Sequence, residues 1–243
     1  MRHVWTVLFA PVVFTFTMWV SLAICLCGLV DRTGWAWWPI GRFWGWAIVR
    51  ICGATRIQTA HLERLNGLKG AILMCNHQSN LDPPLLIGLS RGPVRFVAKH
   101  SLFWVPLFGQ AAWVVGMIPV NRGRRDKAIA SLQRAAVRIQ EGRVVLVFPE
   151  GSRSSTEEML PFKKGGFMLA LQAGVPIIPI GIAGTGQILP PGWTAIRFGP
   201  IAVSVGEPIM TAHMDITHRE ALMDQVHVAI TEQRVAARAM LED

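Results

Sequence analysis

The sequence predicts an α/β protein: a mixed, largely parallel sheet flanked by helices, preceded by an N-terminal membrane-embedded helical segment. Three observations predict it. Beyond about residue 54, short apolar runs alternate with segments of helical periodicity, and strand, helix, strand in that order closes a parallel-rich sheet with helices on its faces. Several polar residues of chemical interest fall directly after those apolar runs, where open α/β sheets hold their ligands. Finally, no residue from Val4 to Val30 carries a formal charge.

A straight helix over that uncharged stretch would be roughly 40 Å long, more than the ~30 Å hydrocarbon core of a bilayer requires. A cleaved signal peptide fits less well, because its apolar region spans only about 7 to 15 residues. The following stretch, "DRTGWAWWPIGRFWGWAIVRIC", sets Trp35, Trp37, Trp38, Trp44 and Trp46 among Arg32, Arg42 and Arg50. Tryptophan beside arginine is the composition of a headgroup interface. Residues 1–53 are therefore expected to associate with a membrane. A spanning helix with an interfacial one, and a shallow two-helix hairpin, fit this stretch equally well. Residues 54–243 form the second unit.

In that second unit "GAILMCN", "VRFVAKH", "VGMIPVNR" and "VVLVFPEG" read as strands. Between the last two, "RRDKAIASLQRAAVRIQEG" repeats Ala128, Ile129, Leu132, Ala136 and Ile139 at helical spacing and stops at Gly142. "VPIIPIGIAG" is a further buried strand, and "AIRFGPIAVSVGEP" reads as two strands turned at Gly199 and Pro200. The closing helix is predicted to start at a capping box of Thr217 and Glu220 and to bury a stripe of Leu222, Val226, Ala229 and Ile230.

Composition narrows the function classes. Apolar residues make up 51% and charged residues only 16%, low charge for a freely soluble domain. The formal net charge is +9, and the cations are mostly arginine, whose planar fork matches phosphate geometry. Zinc-ligand spacing, basic heptads and RNA-binding aromatic motifs are all missing, so the basicity is assigned to an anionic membrane surface or a phosphate-bearing substrate and not to nucleic acid. Cys25, Cys27, Cys52 and Cys75 form no CxxC pair, so neither a disulfide framework nor a zinc site is expected. Cys75 ends an apolar run and reads as core.

"CNHQSNLDPPLL" carries the chemistry. Positions five apart on an α-helix diverge by about 140°, so a regular helix cannot pair His77 with Asp82. Pro83 and Pro84 disfavour a helix running through them but allow one to begin there. "HQSNL" is then a turn, in which Asp82 can fold back onto one imidazole nitrogen and leave the other facing a substrate. The competing reading makes Asp82 a simple helix cap and His77 a buried polar residue. Arg122, Glu150 and Arg153 also follow strand-like runs and can converge on His77.

Four blocks in order, "NHQSNLD", "KHSLFWVPLFGQAAWVVGMIPVNR", "FPEGSRS" and "VPIIPI", resemble those of the glycerolipid acyltransferases with an H-x4-D motif, a family that includes bacterial 1-acylglycerol-3-phosphate O-acyltransferases. "GSR" stands where "GTR" is more usual, and "KHSL" lacks the acidic residue common before the leucine. The resemblance implies acyl transfer from an acyl thioester to the sn-2 hydroxyl of lysophosphatidic acid, with His77 as general base and Asp82 orienting it. It places Lys99 and Arg153 on the substrate phosphate, with Arg122 a further candidate. Glu150 and Gly151 would shape the phosphate-binding turn, the glutamate by pairing with an arginine. The implied partners are a membrane lipid substrate and acyl-CoA or acyl carrier protein as donor, with no cofactor and no metal. The implied location is a membrane, the bacterial inner membrane, with the catalytic domain on the cytoplasmic side. Rival readings are a relative acting on another lysolipid, an acyl-serine route through Ser79, a metal-dependent hydrolase using His77, Asp82 and Glu150, and a non-enzymatic membrane-binding module.

Overall fold

The computed structural model describes residues 2–31, 34–120, 135–192 and 196–242, with side chains from residue 9 onward. Its centre is a seven-stranded sheet of β1 (Ala54–Ala60), β2 (Ala71–Cys75), β3 (Val94–Lys99), β4 (Ile118–Val120), β5 (Val144–Val147), β6 (Ile177–Ala183) and β7 (Gly199–Val205). The spatial order is β1-β7-β6-β2-β5-β3-β4. Strands β6, β2, β5, β3 and β4 pair in parallel, β7 lies antiparallel to β6, and β1 runs parallel to β7. The predicted mixed, mostly parallel sheet is present.

The central strands bury both faces, which is why they read as unbroken apolar runs rather than alternating ones. In β2, Leu73 and Cys75 join one apolar cluster while Ile72 and Met74 join another on the opposite face, as the twofold side-chain alternation of a strand requires. The first cluster is covered by α1 (Arg2–Val30), α2 (Trp38–Ile51), α3 (Asp82–Leu89) and α4 (Phe108–Val114). The second lies under α5 (135–140), α6 (Lys164–Ala173) and the carboxy-terminal helix α8 (Arg219–Glu242), while a single turn, α7 (Thr185–Ile188), follows β6. The contact of α8 with β6 is close: a Cβ on Gly181 would lie 2.2 Å from the backbone nitrogen of Arg234. Only glycine admits the helix at that distance.

Helix α1 is 29 residues long with Pro11 inside it, and Phe9–Val30 has a mean hydropathy of 2.2, long and apolar enough to cross a membrane. Phe14, Trp19, Leu26 and Leu29 are exposed on its surface. Its other side packs on α2, where Trp44 Nε1 donates to Thr17 Oγ1 at 3.1 Å and Phe16 meets Phe43 edge-on. The opposite side of α2 presses α3 so closely that a Cβ on Gly45 would sit 2.3 Å from the Pro84 carbonyl oxygen.

Three expectations are corrected. Trp37 and Trp38 are core residues, while Trp35 and Trp46 remain exposed, so the tryptophan-rich stretch divides between interior and surface because α2 is wedged between α1 and α3. "AIRFGPIAVSVGEP" supplies one strand and not two, and Gly199 and Pro200 open it. Proline is tolerated at the start of a strand, where no ladder donor is needed. The cap before α8 is Asp215 with His218: Asp215 accepts from the Thr217 amide, and the His218 ring accepts from the Asp215 amide. Thr217 Oγ1 bonds to Asp215 instead of capping, and Glu220 pairs with Arg219 and Lys164. The stripe on α8 buries Leu222, Val226 and Ile230 with Ala229 half-buried.

Candidate active site

His77 follows β2, Lys99 ends β3, and Glu150 to Arg153 follow β5, so the carboxyl ends of three adjacent strands carry them. A strand cannot continue through "NHQSN" because the Asn76 side chain takes over its hydrogen bonding. Asn76 is buried, its Nδ2 donates to the Ile182 carbonyl at 3.0 Å, and its Oδ1 accepts from the Ile182 amide at 2.8 Å. The chain after β2 is thereby fastened to β6 and turns away from the sheet.

In the turn that results, His77 Nδ1 lies 2.8 Å from Asp82 Oδ2. The carboxylate is wholly buried and the imidazole 17% exposed. Asp82 is the first residue of α3, with Pro83 and Pro84 next, and its Oδ2 also accepts from the backbone amides of Gln78 and Ser79 at 2.8 Å each. Charge-assisted bonds of this kind to a carboxylate at a helix start are strong. The cap reading does not hold: Leu81 stands at the N-cap without a side-chain cap bond, and the Asp82 carboxylate accepts from amides that precede the helix, so Asp82 begins α3 but its side chain serves the turn and the histidine. The imidazole is stacked on Phe148, with centroids 4.0 Å apart and planes inclined 19°. One ring nitrogen is fixed by the carboxylate and one ring face by the phenylalanine, so Nε2 has a set direction.

The segment after β5 is joined to this turn by backbone. Glu150 is buried; its Oε1 accepts from the His77 amide at 2.7 Å and its Oε2 from the Leu160 amide at 2.8 Å. The Ser154 amide donates to the His77 carbonyl at 2.8 Å. Burial pushes the Glu150 carboxyl up from its ordinary value, against the pull of those two amides and of the His77 and Arg234 charges. The expected Glu150–arginine pair is replaced by main-chain contacts. The buried glutamate satisfies amides that the turns on either side leave without partners.

Gly151 has φ +69°, left-handed backbone that glycine adopts without strain, and its amide donates to the Phe148 carbonyl. Arg153 is half-buried with Nη1 enclosed and without a hydrogen-bond partner, a costly state for a cation's donor. Lys99 is exposed, two strand positions from β2 and so roughly 10 Å across the sheet. Arg122 lies outside the described residues.

The alternative nucleophiles are spoken for. Ser79 is wholly buried, its hydroxyl donates to the Leu189 carbonyl at 2.7 Å and accepts from the Leu81 amide. The Cys75 thiol is pushed well up by burial, and further by the charges of Asp82 and Glu150. Among the described residues, no group of three or more His, Cys, Asp and Glu is placed to hold a metal. Sequence reasoning passed over Asn76, Phe148 and Ser154 as parts of the site. All three sit inside the quoted blocks, but their contacts join distant parts of the chain.

The protein-family model described as Acyltransferase matches residues 56–183. The chain is 33% identical over 178 residues to a chloroplastic 1-acyl-sn-glycerol-3-phosphate acyltransferase of Brassica napus, covering 72% of this chain and 52% of that protein. It is 39% identical over 176 residues to the 1-acyl-sn-glycerol-3-phosphate acyltransferase of Escherichia coli, covering 69% of this chain and 71% of that one. Against the plant relatives the chain spans about half their length. The crystal structure of the 1-acyl-sn-glycerophosphate acyltransferase PlsC of Thermotoga maritima superposes with a TM-score of 0.82 at 22% identity, over 98% of this chain and 95% of that one, and shares its fold. With a family match across the strands that carry His77, Lys99 and Glu150, and relatives above 30% identity, the chain belongs to the acyltransferase family.

Proposed function

We propose that this protein transfers an acyl chain from an acyl thioester to the sn-2 hydroxyl of lysophosphatidic acid, giving phosphatidic acid. The observation that carries the reading is the His77–Asp82 pair, 2.8 Å apart with the carboxylate buried and the imidazole partly open, in a chain whose relatives bear the name 1-acyl-sn-glycerol-3-phosphate acyltransferase.

With Nδ1–H donating to Asp82, Nε2 is the basic nitrogen. It takes the proton of the lipid hydroxyl as the oxygen attacks the thioester carbonyl carbon. The carbon–sulfur bond then breaks, and the thiolate leaves with the proton that the imidazolium returns. Asp82 stabilises the imidazolium in between. Arg153, whose enclosed Nη1 lacks a partner, would receive the substrate phosphate, with Lys99 and Arg122 assisting. Such anchoring presents the hydroxyl to Nε2 and converts binding energy into orientation. Glu150 and Gly151 hold the turn. The donor is an acyl-CoA or an acyl carrier protein, and neither a metal nor a cofactor enters the step.

Residues 1–53 would seat the enzyme in the membrane that holds its lipid substrate, with residues 54–243 as the acyltransferase domain. For a bacterial protein this would be the inner membrane, with the acyltransferase domain on the cytoplasmic side and the basic surface toward anionic headgroups.

The test is His77→Ala, assayed with lysophosphatidate and a panel of acyl donors by lipid mass spectrometry. The expected result is a fall in kcat of about 10² to 10⁴ in a variant that circular dichroism shows to be folded. A variant that retains most of its turnover would refute the reading.

A further inference from the structure

Beside the catalytic turn, at the carboxyl end of β6, lies a cavity of about 260 Å³. Ala183, the last residue of β6, is part of its lining, together with Gln78 and Ser154. The latter two border the reacting groups: Gln78 follows His77 in the chain and its amide donates to Asp82 Oδ2, while the Ser154 amide donates to the His77 carbonyl. A Cβ on Gly186 would lie 3.1 Å from the Cβ of Gln78, so glycine keeps this part of the cavity open. Arg153, the cation offered to the lysophosphatidate phosphate, is not in its walls.

The remaining walls have a mixed chemistry. Gln78 and Gln187 bring side-chain amides that form no hydrogen bond among the described residues, and each such amide has two donors and an acceptor to give. Pro190 and Leu241 add apolar surface. Two guanidinium groups come from α8, and they differ. Arg238 is paired with Glu157, which also lines the cavity, at 2.5 Å and with Glu242 at 3.6 Å. Arg234 is half-buried and has no carboxylate partner among the described residues; its Nη2 donates to the Glu157 carbonyl. Burial raises the Glu150 carboxyl, and the Arg234 charge is among those that oppose the rise, so this cation is felt at the residue that holds the His77 amide. A half-buried cation short of counter-charge favours an anion, and a guanidinium fork matches phosphate.

We propose that this cavity holds the phosphopantetheine arm of the acyl donor, with its amides against Gln78 and Gln187 and its phosphate on Arg234. The proposal rests on the acyltransferase reading for what the donor is. Acyl-CoA and acyl carrier protein share that arm: two amides in series, with the thioester sulfur at one end and a phosphate at the other. An arm seated beside Gln78 brings its sulfur to the turn that carries His77, while Arg153 remains for the acceptor. Donor and acceptor are thus held by different cations.

Full-length protein in a neutral detergent is titrated with 4′-phosphopantetheine and with pantetheine, read by saturation-transfer NMR on the ligand. Wild type is compared with Arg234→Gln, Gln187→Ala and Arg153→Ala. Wild type is expected to bind phosphopantetheine about tenfold more tightly than pantetheine, one charge-assisted contact being at stake. Arg234→Gln removes that preference, Gln187→Ala weakens both ligands alike, and Arg153→Ala binds both as wild type. In turnover, Arg234→Gln raises KM for the donor by a similar factor and leaves KM for lysophosphatidate within about twofold. Measuring KM with acyl-CoA and with acyl carrier protein identifies the source of the arm as the donor with the lower value. Melting curves establish that Arg234→Gln is folded; should it not be, Gln187→Ala carries the comparison. If wild type binds no phosphopantetheine, if both cavity variants bind it as wild type does, or if Arg153→Ala abolishes binding, the cavity is not the donor site. Phosphopantetheine binding that depends on Arg234, in a protein that acylates no lysophosphatidate, would keep the site and overturn the acceptor; lysophosphatidate turnover that neither cavity variant alters would do the reverse.

Discussion

At Glu150 a single side chain bears on two loops, and its protonation is coupled to folding. Burial raises its pKa above the ordinary 4.5, so between that value and the raised one the folded chain holds a proton that the unfolded chain has released. The contribution is fully present below about 4.5 and is lost as pH rises through the raised value, so stability falls over that window. Glu150→Gln cannot titrate, and its amide offers one acceptor where the wild type has two. The expected outcome is a flatter dependence of melting temperature on pH above 4.5, together with a lower melting temperature throughout, from one buried amide left unsatisfied at a cost of about 1–3 kcal/mol. Melting curves followed by circular dichroism from pH 4 to 8 measure both, and parallel curves for the two proteins would show that Glu150 does not titrate in this range. Spacing and prolines made the His77–Asp82 contact one of two open readings, because both residues lie in one six-residue turn, and the family resemblance favoured it. The partners of Asn76 and Glu150 were not legible: Asn76 bonds to a strand 106 residues away, and a buried glutamate beside arginines in sequence gives no sign that it will choose main-chain amides.

Among the elements, the β6–α8 contact allows a controlled comparison of two glycines. Gly181→Ala drives a methyl into the α8 backbone, 2.2 Å from Arg234 N, and backbone cannot swing aside as a side chain does. It is expected to lower the unfolding free energy by about 1–3 kcal/mol. Gly41→Ala, in helix α2 with no atom within 4 Å of the added Cβ, is expected to raise it by up to about 1 kcal/mol, since alanine is the better helix former. Urea titrations of the two variants read the difference, and equal midpoints would contradict the packing argument. The same elements show which parts of the fold the sequence exposes. Strands β2, β3, β5 and β6 are apolar runs bounded by glycine, proline or charge, and each was found. β1, "ATRIQTA", was not, because an edge strand buried along part of its length has too weak a pattern. The Gly199–Pro200 pair carried turn chemistry but marks a strand start, since pairing with β1 and β6 overrides the local preference.

For the whole molecule, the exposed apolar side of α1 separates membrane attachment from chemistry. Phe14 and Trp19 face outward, while Phe16 and Thr17 face α2. A Phe14→Glu, Trp19→Glu double variant leaves the packing against α2 intact. It is expected to float with phospholipid vesicles at less than about one tenth of the wild-type level, because a charge at bilayer depth costs about 2.5–3.5 kcal/mol on insertion scales. Turnover on substrate dispersed in detergent should stay within about twofold, as no residue of the proposed mechanism is altered. Unchanged flotation would place the attachment elsewhere.

The two carboxylate oxygens of Glu150 hold peptide groups of two separate loops, at His77 and at Leu160, and a grip on peptide groups is indifferent to the side chains those groups carry. Leu160 can therefore be rewritten over generations without loosening the imidazole from its station, so long as the Ser154 amide stays on the His77 carbonyl. The side chain at position 160 and the alignment of the imidazole are thus left free to evolve on separate schedules.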